Sequence, residues 1–510
     1  MLATSLTAAV LGIDAHLVRA EADTAPGFPR FTMVGLPDSA VKESEARIRA
    51  AFRNCGLEFK WDRRITVNLA PASLRKYGSS FDLATALGLL AADGRSLPRL
   101  GRVLLVGELA LDGGLRGVPG VLPMLLLAWH EGLDAAVVPA ANHAEATLVP
   151  DLPVHPARSL PEALALVQAE TLPPATPLPL APGALASVPD LADVRGQAMA
   201  RRALEIAAAG GHNLLLSGPP GSGKTMLARR LPGLLPPLRP EEAVDVAAIH
   251  SAAGLPAEEV LGRRPFRSPH HTTSEIALVG GGPRPRPGEV SLAHHGVLFL
   301  DELPEFRRAT LEVLRQPLED GHVTITRQRG TVRIPSRFQL IGAMNPCPCG
   351  RRGSPLPCRC TPADVRSYLG RLSGPLLDRI DLHVAVPAVS YDEMTGAEGE
   401  PTVRVRHRVL AARVRQQSRD RVAGEVNARL AGLALRQVAC PAGAAERLLR
   451  RAVDVAGLSA RGLDRLLRVA RTIADLAGNE EVGASDVAEA LQFRFGPLES
   501  LEPYTIQGVG

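Results

Sequence analysis

Hydrophobic and polar positions along the chain fall into three stretches with different periods. Over residues 1–170, short runs of β-strand character alternate with stretches whose apolar residues have helical spacing. The predicted strands are ITVNLA, VLLVGELAL and AAVVPA, and the predicted helices cover residues 40–55 and Asp82–Ala92. The apolar start of the chain has no basic segment before it and is interrupted by Asp14, so it predicts a first strand and not a signal peptide.

Two breaks divide the rest of the chain. Residues 171–189 are rich in Pro and Ala and carry no charge, which is typical of a semi-rigid linker. The run SYDEMTGAEGEP precedes a segment, 402–495, with helical spacing throughout and Ser485 and Asp486 as an expected helix cap. The prediction is an N-terminal domain over 1–170, a linker over 171–189, an α/β core over 190–389 and a helical domain over 390–510.

The composition is that of an ordinary packed protein, with 45% hydrophobic and 22% charged residues. The apolar run VLPMLLLAW is far shorter than the roughly 20 residues that cross a bilayer, so a cytoplasmic protein without a membrane partner is expected. A net charge of +5 is compatible with a nucleic-acid partner. Nearly all basic residues are arginines, so each arginine-rich run is weaker evidence than usual.

A glycine-rich motif follows a predicted strand over residues 213–216 and precedes a helical pattern, which is the context of a phosphate-binding loop. Its glycines let backbone N–H groups approach phosphates. Lys224 is expected to reach the β- and γ-phosphates of ATP, and Thr225 to offer its hydroxyl to Mg²⁺. The predicted ATP-binding residues here are Gly218, Pro219, Pro220, Gly221, Ser222, Gly223, Lys224 and Thr225.

A second motif supports that assignment. The apolar run VLFL predicts a buried strand that ends in Asp301 and Glu302. Asp301 is expected in the Mg²⁺ shell, and Glu302 can polarise the attacking water. The alternative is an ordinary buried strand with a solvated acidic end, which the upstream glycine-rich motif disfavours.

Several long motifs in a fixed order carry a family resemblance. They are DLADVRGQ, GPPGSGKT, RPFRSPHHTTSEIALVGGG, PGEVSLAHHGVLFLDELPEF, NPCPCG, GPLLDRIDLHVAVP and LSARGLDRLLRVARTIADL. Over essentially its full length the chain resembles the magnesium chelatase-like AAA+ ATPases, and within them the ComM/YifB subfamily. The resemblance implies a multidomain α/β protein with an AAA+ P-loop core and a C-terminal helical lid, working as a homo-hexamer.

The resemblance also implies roles for single residues. Asn345 matches the polar sensor that orients the hydrolytic water, and Arg379 matches an arginine finger that reaches the nucleotide of the neighbouring subunit. Arg461 matches a second sensor, which is carried on the helical lid and closes on the same nucleotide. Val194 and Gln197 match positions near the adenine.

The N-terminal domain more distantly resembles the α+β, S5-like domain that ends Lon-type proteases. That match places Ser80 near the serine nucleophile but puts Leu122 where the lysine belongs. Leucine cannot accept the serine proton, and no lysine occurs between Lys76 and Lys224. The domain is therefore expected to be catalytically inactive, with a role in ring assembly or substrate engagement.

Four cysteines, Cys347, Cys349, Cys358 and Cys360, lie within one short segment after Asn345. Four thiolates suit tetrahedral Zn²⁺, so a structural zinc is expected. Redox-active thiols or reduced surface cysteines remain alternatives, since the CxC spacing is less typical of zinc sites. The pairs His270–His271 and His294–His295 are interpreted as loop residues and not as metal ligands.

Three functions differ in class. The resemblance implies a DNA motor, a hexameric branch-migration helicase in the recombination of incoming DNA during natural transformation. The alternatives are a motor subunit of a magnesium chelatase and a Lon-like ATP-dependent protease. The missing lysine argues against the protease, and the family's chelatase subunits generally lack this N-terminal domain and the four cysteines.

A basic hairpin is the expected DNA contact. Residues 320–338 alternate in polarity around Arg327 and Arg329, which predicts a β-hairpin with a basic tip that follows a helix over 309–318. In related helicases a hairpin at this place projects into the central pore, so these two arginines are expected to bind phosphates of DNA. An arginine stripe at Arg404, Arg408, Arg415 and Arg419 is a second candidate.

Overall fold

The computed structural model describes residues 1–149, 151–174, 188–260, 262–282, 285–327, 330–354, 356–419, 426–456 and 458–494. Most of the predicted linker, Arg329 at the predicted hairpin tip and the end of the predicted helical domain lie outside these residues. No helix within the described ranges is long and apolar enough to cross a membrane.

The N-terminal unit is built on a mixed sheet that, in its described part, has seven strands in the order β3-β4-β2-β1-β5-β8-β9. The strands are β1 (Leu2–Leu11), β2 (Asp14–Ala25), β3 (Arg30–Val34), β4 (Arg64–Ala70), β5 (Val103–Leu105), β6 (Glu108–Leu109), β7 (Leu115–Arg116), β8 (Ala135–Pro139) and β9 (Val154–Ala157), with β6 and β7 pairing separately. The helices are α1 (Ser39–Lys42), α2 (Ser44–Asn54), α3 (Asp82–Ala92), α4 (Val121–His130), α5 (Leu160–Gln168) and the 3-10 helix Ala140–Leu148.

Most of the elements predicted for this unit are confirmed, and two predictions need correction. The run VLLVGELAL is not one strand, because Gly107 adopts a φ of 156° and separates β5 from β6. The helix predicted over 40–55 is divided at Glu43, whose N–H bonds to Ser39 in a tight turn between α1 and α2. Helix α3 has the predicted bounds and is buried along nearly its whole length.

The core is a parallel sheet in the order β11-β14-β17-β10-β18 over the described residues. Its central strands are buried on both faces, since helices cover one side and a hairpin with short helices covers the other. Leu214 and Leu216 pack in the first of these clusters and Leu215 in the second. The strands of the core are β10 (Leu214–Ser217), β11 (Phe266–Arg267), β12 (Gly280–Gly281), β13 (Arg286–Pro287), β14 (Val297–Leu300), β15 (His322–Arg327), β16 (Gly330–Pro335), β17 (Gln339–Met344) and β18 (Leu382–Ala385).

Short helices connect these strands. They are α6 (Ala198–Gly210), α7 (Lys224–Ala228), α8 (Leu231–Leu234), α9 (Pro240–Ala253), α10 (Glu275–Val279), α11 (Glu289–Leu292), α12 (Arg308–Glu312), α13 (Arg315–Asp320), α14 (Pro362–Leu369), α15 (Gly374–Leu377) and α16 (Tyr391–Thr395), with 3-10 helices at Leu191–Asp193, Ala257–Val260 and Leu303–Glu305. The single helix predicted over 309–318 is instead the pair α12 and α13, separated at Val313 and Leu314.

The C-terminal segment is helical, as predicted. Its helices are α17 (Thr402–Arg419), α18 (Gly432–Val438), α19 (Ala444–Ala456), α20 (Ala460–Ala477) and α21 (Ala484–Arg494), with the 3-10 helix Asn427–Arg429. Buried His212 ties α20 to the core, with Nδ1 at 3.0 Å from Asp381 Oδ2 and Nε2 at 2.8 Å from Thr472 Oγ1. The expected cap at Ser485 and Asp486 is corrected in position, because α21 already begins at Ala484 and the Asp486 carboxylate accepts the N–H of Gly483.

The N-terminal unit contacts the core at α9 and at the β15–β16 hairpin, among other places. In α9, the Ser251 carbonyl accepts the Gly120 N–H at 2.8 Å, and the Ser251 hydroxyl accepts the Leu122 N–H at 3.2 Å. The turn between β1 and β2 packs against the β15–β16 hairpin, where a Cβ built on Gly12 would lie 2.3 Å from Val332 Cγ1. The hairpin therefore lies between the core and the N-terminal sheet.

Candidate nucleotide-binding site

The glycine-rich loop connects the end of β10 to the start of α7. Its Gly221 and Gly223 have φ angles of 78° and 88°, a region that glycine adopts without strain. A Cβ on Gly218 would lie 2.0 Å from the carbonyl oxygen of Val386, so only glycine fits there. The Gly218 N–H donates to Met344 O at 3.1 Å, which fixes the loop to the end of β17.

The Lys224 ammonium is buried under this loop. Its Nζ donates to Gly218 O (2.7 Å), to Pro219 O (2.9 Å) and to Asn345 Oδ1 (3.3 Å). Burial lowers the pKa of Lys224, and the charges of Asp301 and Glu302 partly oppose that shift. A buried cation held by neutral oxygens suits an anionic ligand.

A second buried polar atom supports a phosphate ligand. The Ser222 hydroxyl, between the two left-handed glycines, has no hydrogen-bond partner among the described residues. Phosphate oxygens could satisfy this hydroxyl and neutralise Lys224 together. The loop therefore fits the phosphates of ATP.

Oxygen ligands for Mg²⁺ lie next to this loop. Thr225 Oγ1 donates to Asp301 Oδ2 at 2.7 Å, and Asp301 Oδ1 accepts the N–H of Glu302 at 2.9 Å. Thr225 Oγ1 and Asp301 Oδ2 are both oxygen ligands of the kind that Mg²⁺ prefers. Glu302 follows with a φ of 51°, and its side chain is 53% exposed, which leaves the carboxylate open to water.

His271 is a neighbour that the sequence reasoning missed. Its Nδ1 lies 3.2 Å from Glu302 Oε2, and its ring contacts His270 and Phe306. From the sequence, this histidine pair is interpreted as loop residues and is not assigned to the nucleotide site. The sequence does carry one signal for this contact. His271 follows β11 and Glu302 follows β14, and the carboxyl ends of two paired parallel strands lie side by side.

Asn345 and Gln197 both contact the glycine-rich loop. Asn345 directly follows β17, and its side chain reaches Lys224. Gln197 begins α6 with a φ of 50°, and its Nε2 donates to Pro387 O at 2.6 Å and lies 3.5 Å from Ser222 O. Val194 is fully buried in the adjoining apolar cluster.

Arg379 lies at the other edge of the sheet. The glycine-rich loop leaves the carboxyl end of β10, whereas Arg379 precedes the amino end of β18, the parallel neighbour of β10. The Arg379 carbonyl accepts the Asn213 side-chain N–H at 2.8 Å, just before β10 begins. Four residues of strand separate the two edges by about 13 Å. The Arg379 guanidinium instead hydrogen-bonds Glu319 and the carbonyl of Pro375.

Arg461 shares that edge. Arg379 lowers the pKa of the Glu319 carboxyl through its hydrogen bond and charge, and the charge of Arg461 lowers it further. One helical turn further along α20, Arg465 donates to Asp378 at 2.8 Å. Arg461 and Arg379 thus lie at the same end of the strands, and the sensor role of Arg461 stays a prediction.

The four cysteines come together in one cluster. The Sγ atom of Cys347 lies 3.5 Å from that of Cys349 and 3.7 Å from that of Cys358, and the last two are 3.6 Å apart. All four sulfurs lie within 4.8 Å of one another. A tetrahedral site with Zn–S bonds of about 2.3 Å has S–S edges of about 3.8 Å, so the cluster fits Zn²⁺.

The other group of possible ligands suits a metal poorly. Asp245, His294 and His295 lie close together, but His294 Nδ1 accepts the N–H of Arg337 at 2.9 Å. Neutral His294 then carries its proton on Nε2 and has no lone pair left for a metal. Burial, together with the charges of His295, Arg337 and Arg429, lowers the pKa of His294 to about 2, and the same surroundings disfavour a bound metal cation.

Comparisons with known proteins place the chain in a family. Three family models match, for magnesium chelatase subunit ChlI at residues 190–394, the ChlI subunit of Mg-chelatase at 20–142 and the ChlI C-terminal segment at 399–494. Competence protein ComM of Haemophilus influenzae is 44% identical over 505 residues, 97% of each chain. YifB of Salmonella typhimurium is 45% identical over 497 residues, 96% of each chain. The chain belongs to the magnesium chelatase-like ComM/YifB family.

Chelatase subunits proper match less of the chain. The magnesium-chelatase 67 kDa subunit of Heliobacterium mobile is 31% identical over 193 residues, which is 32% of this chain and 29% of that subunit. The AAA+ core and helical C-terminus expected from the resemblance are confirmed at the level of family and fold, and the family indicates ATPase activity.

The N-terminal unit of this ComM/YifB protein matches the family model for a chelatase subunit, and its likeness to Lon-type proteases stays a prediction. Ser80 precedes α3, and its carbonyl accepts the Gly107 N–H at 3.1 Å. Leu122 lies near the start of α4, fully buried at the contact with Ser251. A carboxylate, Glu145 Oε2, accepts the Leu122 N–H at 2.9 Å.

Of the two expected DNA contacts, the hairpin is described only in part. The hairpin has the predicted strands, β15 and β16, which end at Arg327 and begin again at Gly330. The side chain of Arg327 and the whole of Arg329 lie outside what the structure describes. In the arginine stripe, Arg408 pairs with Glu205 and Glu400. Arg415 donates to the Asp475 carbonyl, and Arg419 pairs with the Asp475 carboxylate. These three arginines therefore make contacts within the chain.

Proposed function

We propose that this protein is one subunit of an ATP-driven ring motor that acts on DNA, a hexameric branch-migration helicase in recombination of incoming DNA. The observation that carries the proposal is the division of the ATPase residues between two edges of one sheet. Lys224, Asp301 and Glu302 lie at the carboxyl edge, and Arg379 lies at the amino edge. A chain with its arginine finger on the far edge needs a neighbour to complete each site.

Each residue at the carboxyl edge has a role in this proposal. Lys224 neutralises the phosphates of ATP, and Thr225 and Asp301 hold Mg²⁺, which would stabilise charge on the phosphate oxygens. Glu302 accepts a proton from the attacking water, which Asn345 orients. Val194 and Gln197 line the side of the site where the adenine binds, because they lie just before α6, next to the glycine-rich loop.

The arginines at the amino edge act on the neighbouring subunit. Arg379 would stabilise the charge that develops on the transferred phosphate. The charge of Arg461 acts on the same Glu319 carboxyl that Arg379 binds, and we propose that Arg461 acts on the same neighbouring nucleotide. In the free chain, Glu319 holds the Arg379 guanidinium, so ring closure must exchange that partner for a phosphate.

DNA is the proposed substrate for two reasons. The chain is 44% identical over nearly its full length to a protein named for competence. Apolar residues anchor its β15–β16 hairpin in the core, and the sequence has Arg327 and Arg329 between the two strands' apolar residues. Phosphate contacts from arginines give binding that depends on salt and little on sequence. Chelatase subunits, in contrast, align with a smaller part of the chain.

The decisive experiment compares ATP hydrolysis with and without DNA. We expect four-way-junction DNA to stimulate the purified protein, and labelled junctions to be converted to duplex arms only when ATP is present. Lys224→Ala protein is the control, since it keeps the hairpin but lacks the phosphate-binding cation. ATP hydrolysis that ignores single-stranded, duplex and junction DNA alike would contradict a DNA motor.

A further inference from the structure

The four-cysteine cluster lies directly against the loop that we propose binds ATP. Gly350, between the two pairs of cysteines, has a φ of 73°. A Cβ built there would lie 2.6 Å from Cδ and 2.7 Å from Cγ of Pro220, and 3.9 Å from Cγ of Asn345. The backbone of the cysteine loop is thus in van der Waals contact with the glycine-rich loop, at a place that has no room for a side chain.

Cys347 organises this contact from inside the loop. It is fully buried and lies two residues after Asn345. Its carbonyl accepts the Gly350 N–H at 2.9 Å, and its Sγ accepts the Arg352 N–H at 3.4 Å. The turn that presents Gly350 to Pro220 is therefore folded around one of the four sulfurs.

The second pair of cysteines holds the other side of Asn345. Cys358 and Cys360 lead into α14, which Thr361 caps by accepting the Asp364 N–H at 3.2 Å. Buried Tyr368 of α14 hydrogen-bonds the backbone of Asn345. A group that joins the four sulfurs would thus fix both segments that contact Asn345.

We propose that a thiolate-bound Zn²⁺ in this cluster holds the phosphate-binding loop in its binding conformation, so that loss of the metal weakens ATP binding. Without the metal, nothing joins the four sulfurs, and the turn at Cys347 would be free to release Gly350 from Pro220. The inference rests on the proposed ATP site. It makes the cluster a determinant of nucleotide affinity rather than a distant structural centre.

The test measures zinc content and the Kd of a fluorescent ATP analogue on the full chain, without hydrolysis as a readout. We expect about one zinc per chain. After chelation, Kd should rise about tenfold or more, and added Zn²⁺ should restore it. An unchanged Kd after verified zinc removal overturns the inference, and so does protein that purifies with less than about a tenth of an equivalent of zinc.

Two glycine variants distinguish loss of the contact between Gly350 and Pro220 from a general disruption of the cysteine loop. Gly350→Ala should keep zinc yet raise Kd, because the new methyl group displaces Pro220. Gly353→Ala is the matched control, since Gly353 has a similar φ of 75° and no atom within 4 Å of a built Cβ. Equal Kd values for the two variants contradict the inference. Failure of zinc-loaded wild-type protein to bind the analogue would instead contradict the proposed ATP site itself.

Discussion

Glu302 adopts a left-handed backbone conformation, with a φ of 51°, directly after the buried strand β14. Strained residues of this kind persist where surrounding structure holds them, often at active sites. We expect Glu302→Gln to lower the rate of ATP hydrolysis by about 10²- to 10⁴-fold, because the amide cannot accept a proton from water. Binding of an ATP analogue, measured by fluorescence anisotropy, should stay within about twofold of wild type.

The matched control for that variant is Glu305→Gln. Glu305 lies three residues further along and pairs with Arg371 at 2.9 Å, away from the Thr225 and Asp301 oxygens. The Glu305→Gln protein should hydrolyse ATP at nearly the wild-type rate. Similar losses in the two variants would mean that local charge, and not proton acceptance at Glu302, sets the rate.

At the scale of residues, short-range spacing could be predicted and tertiary contacts could not. Lys224, Thr225 and Asp301 follow from motifs whose geometry is set within a few residues. In the structure Lys224 hydrogen-bonds Asn345, and Thr225 hydrogen-bonds Asp301. The contact of His271 with Glu302 joins residues that are distant in sequence, through the pairing of β11 with β14. No local pattern encodes such a contact.

The β15–β16 hairpin is the element whose function is easiest to test. Val323, Ile325, Val332 and Ile334 are buried on one side, while Thr331 and Arg333 are exposed on the other. Combined Arg327→Ala and Arg329→Ala should abolish DNA stimulation and leave basal ATP hydrolysis intact. The slope of the logarithm of DNA affinity against the logarithm of salt concentration should fall by about 2, one for each lost phosphate contact.

Arg333→Ala is the comparison for the hairpin variants. It removes one positive charge from the same element, at a position further along β16. We expect it to change DNA stimulation much less than the paired tip variants. Normal junction processing by the double variant would show that another element grips the DNA.

Element types were predictable, but their ends were less so. Long buried runs such as β14 and β17 have a clear apolar signal, and the alternating hairpin has a period of two. The helices predicted over 40–55 and 309–318 are each divided, because a tight turn of nearly helical backbone leaves the apolar pattern unchanged. In the run VLLVGELAL the apolar pattern is likewise continuous, but Gly107 ends strand β5 within it.

The whole assembly can be tested by mixing two inactive chains. Lys224→Ala damages the carboxyl-edge half of a site, and Arg379→Ala damages the amino-edge half. In rings of equal mixture, about one interface in four combines two intact halves, so part of the ATPase activity should return. The measurement is the hydrolysis rate of mixed rings whose composition is verified by native mass spectrometry.

Mixing Lys224→Ala chains with Glu302→Ala chains is the control for that prediction. Both changes lie in the same half-site, so no interface regains a complete site and no activity should return. If neither mixture recovers activity, the site is completed within one chain. Sequence alone identified Arg379 by resemblance, but its separation from Lys224 follows from the parallel pairing of β10 and β18.

The contact between the β1–β2 turn and the hairpin has a mechanical consequence. Leu11 and Ile13 pack with the apolar residues of the hairpin, and Gly12 lies so close to Val332 that no methyl group fits between them. A displacement of the hairpin must therefore either carry the N-terminal sheet along or expose these side chains to water, at about 25 cal/mol for each Å². A stroke of the hairpin would then meet the frictional drag of two domains. Tension on a bound DNA strand would be shared with β1, which is ten residues long and paired along its length with β2.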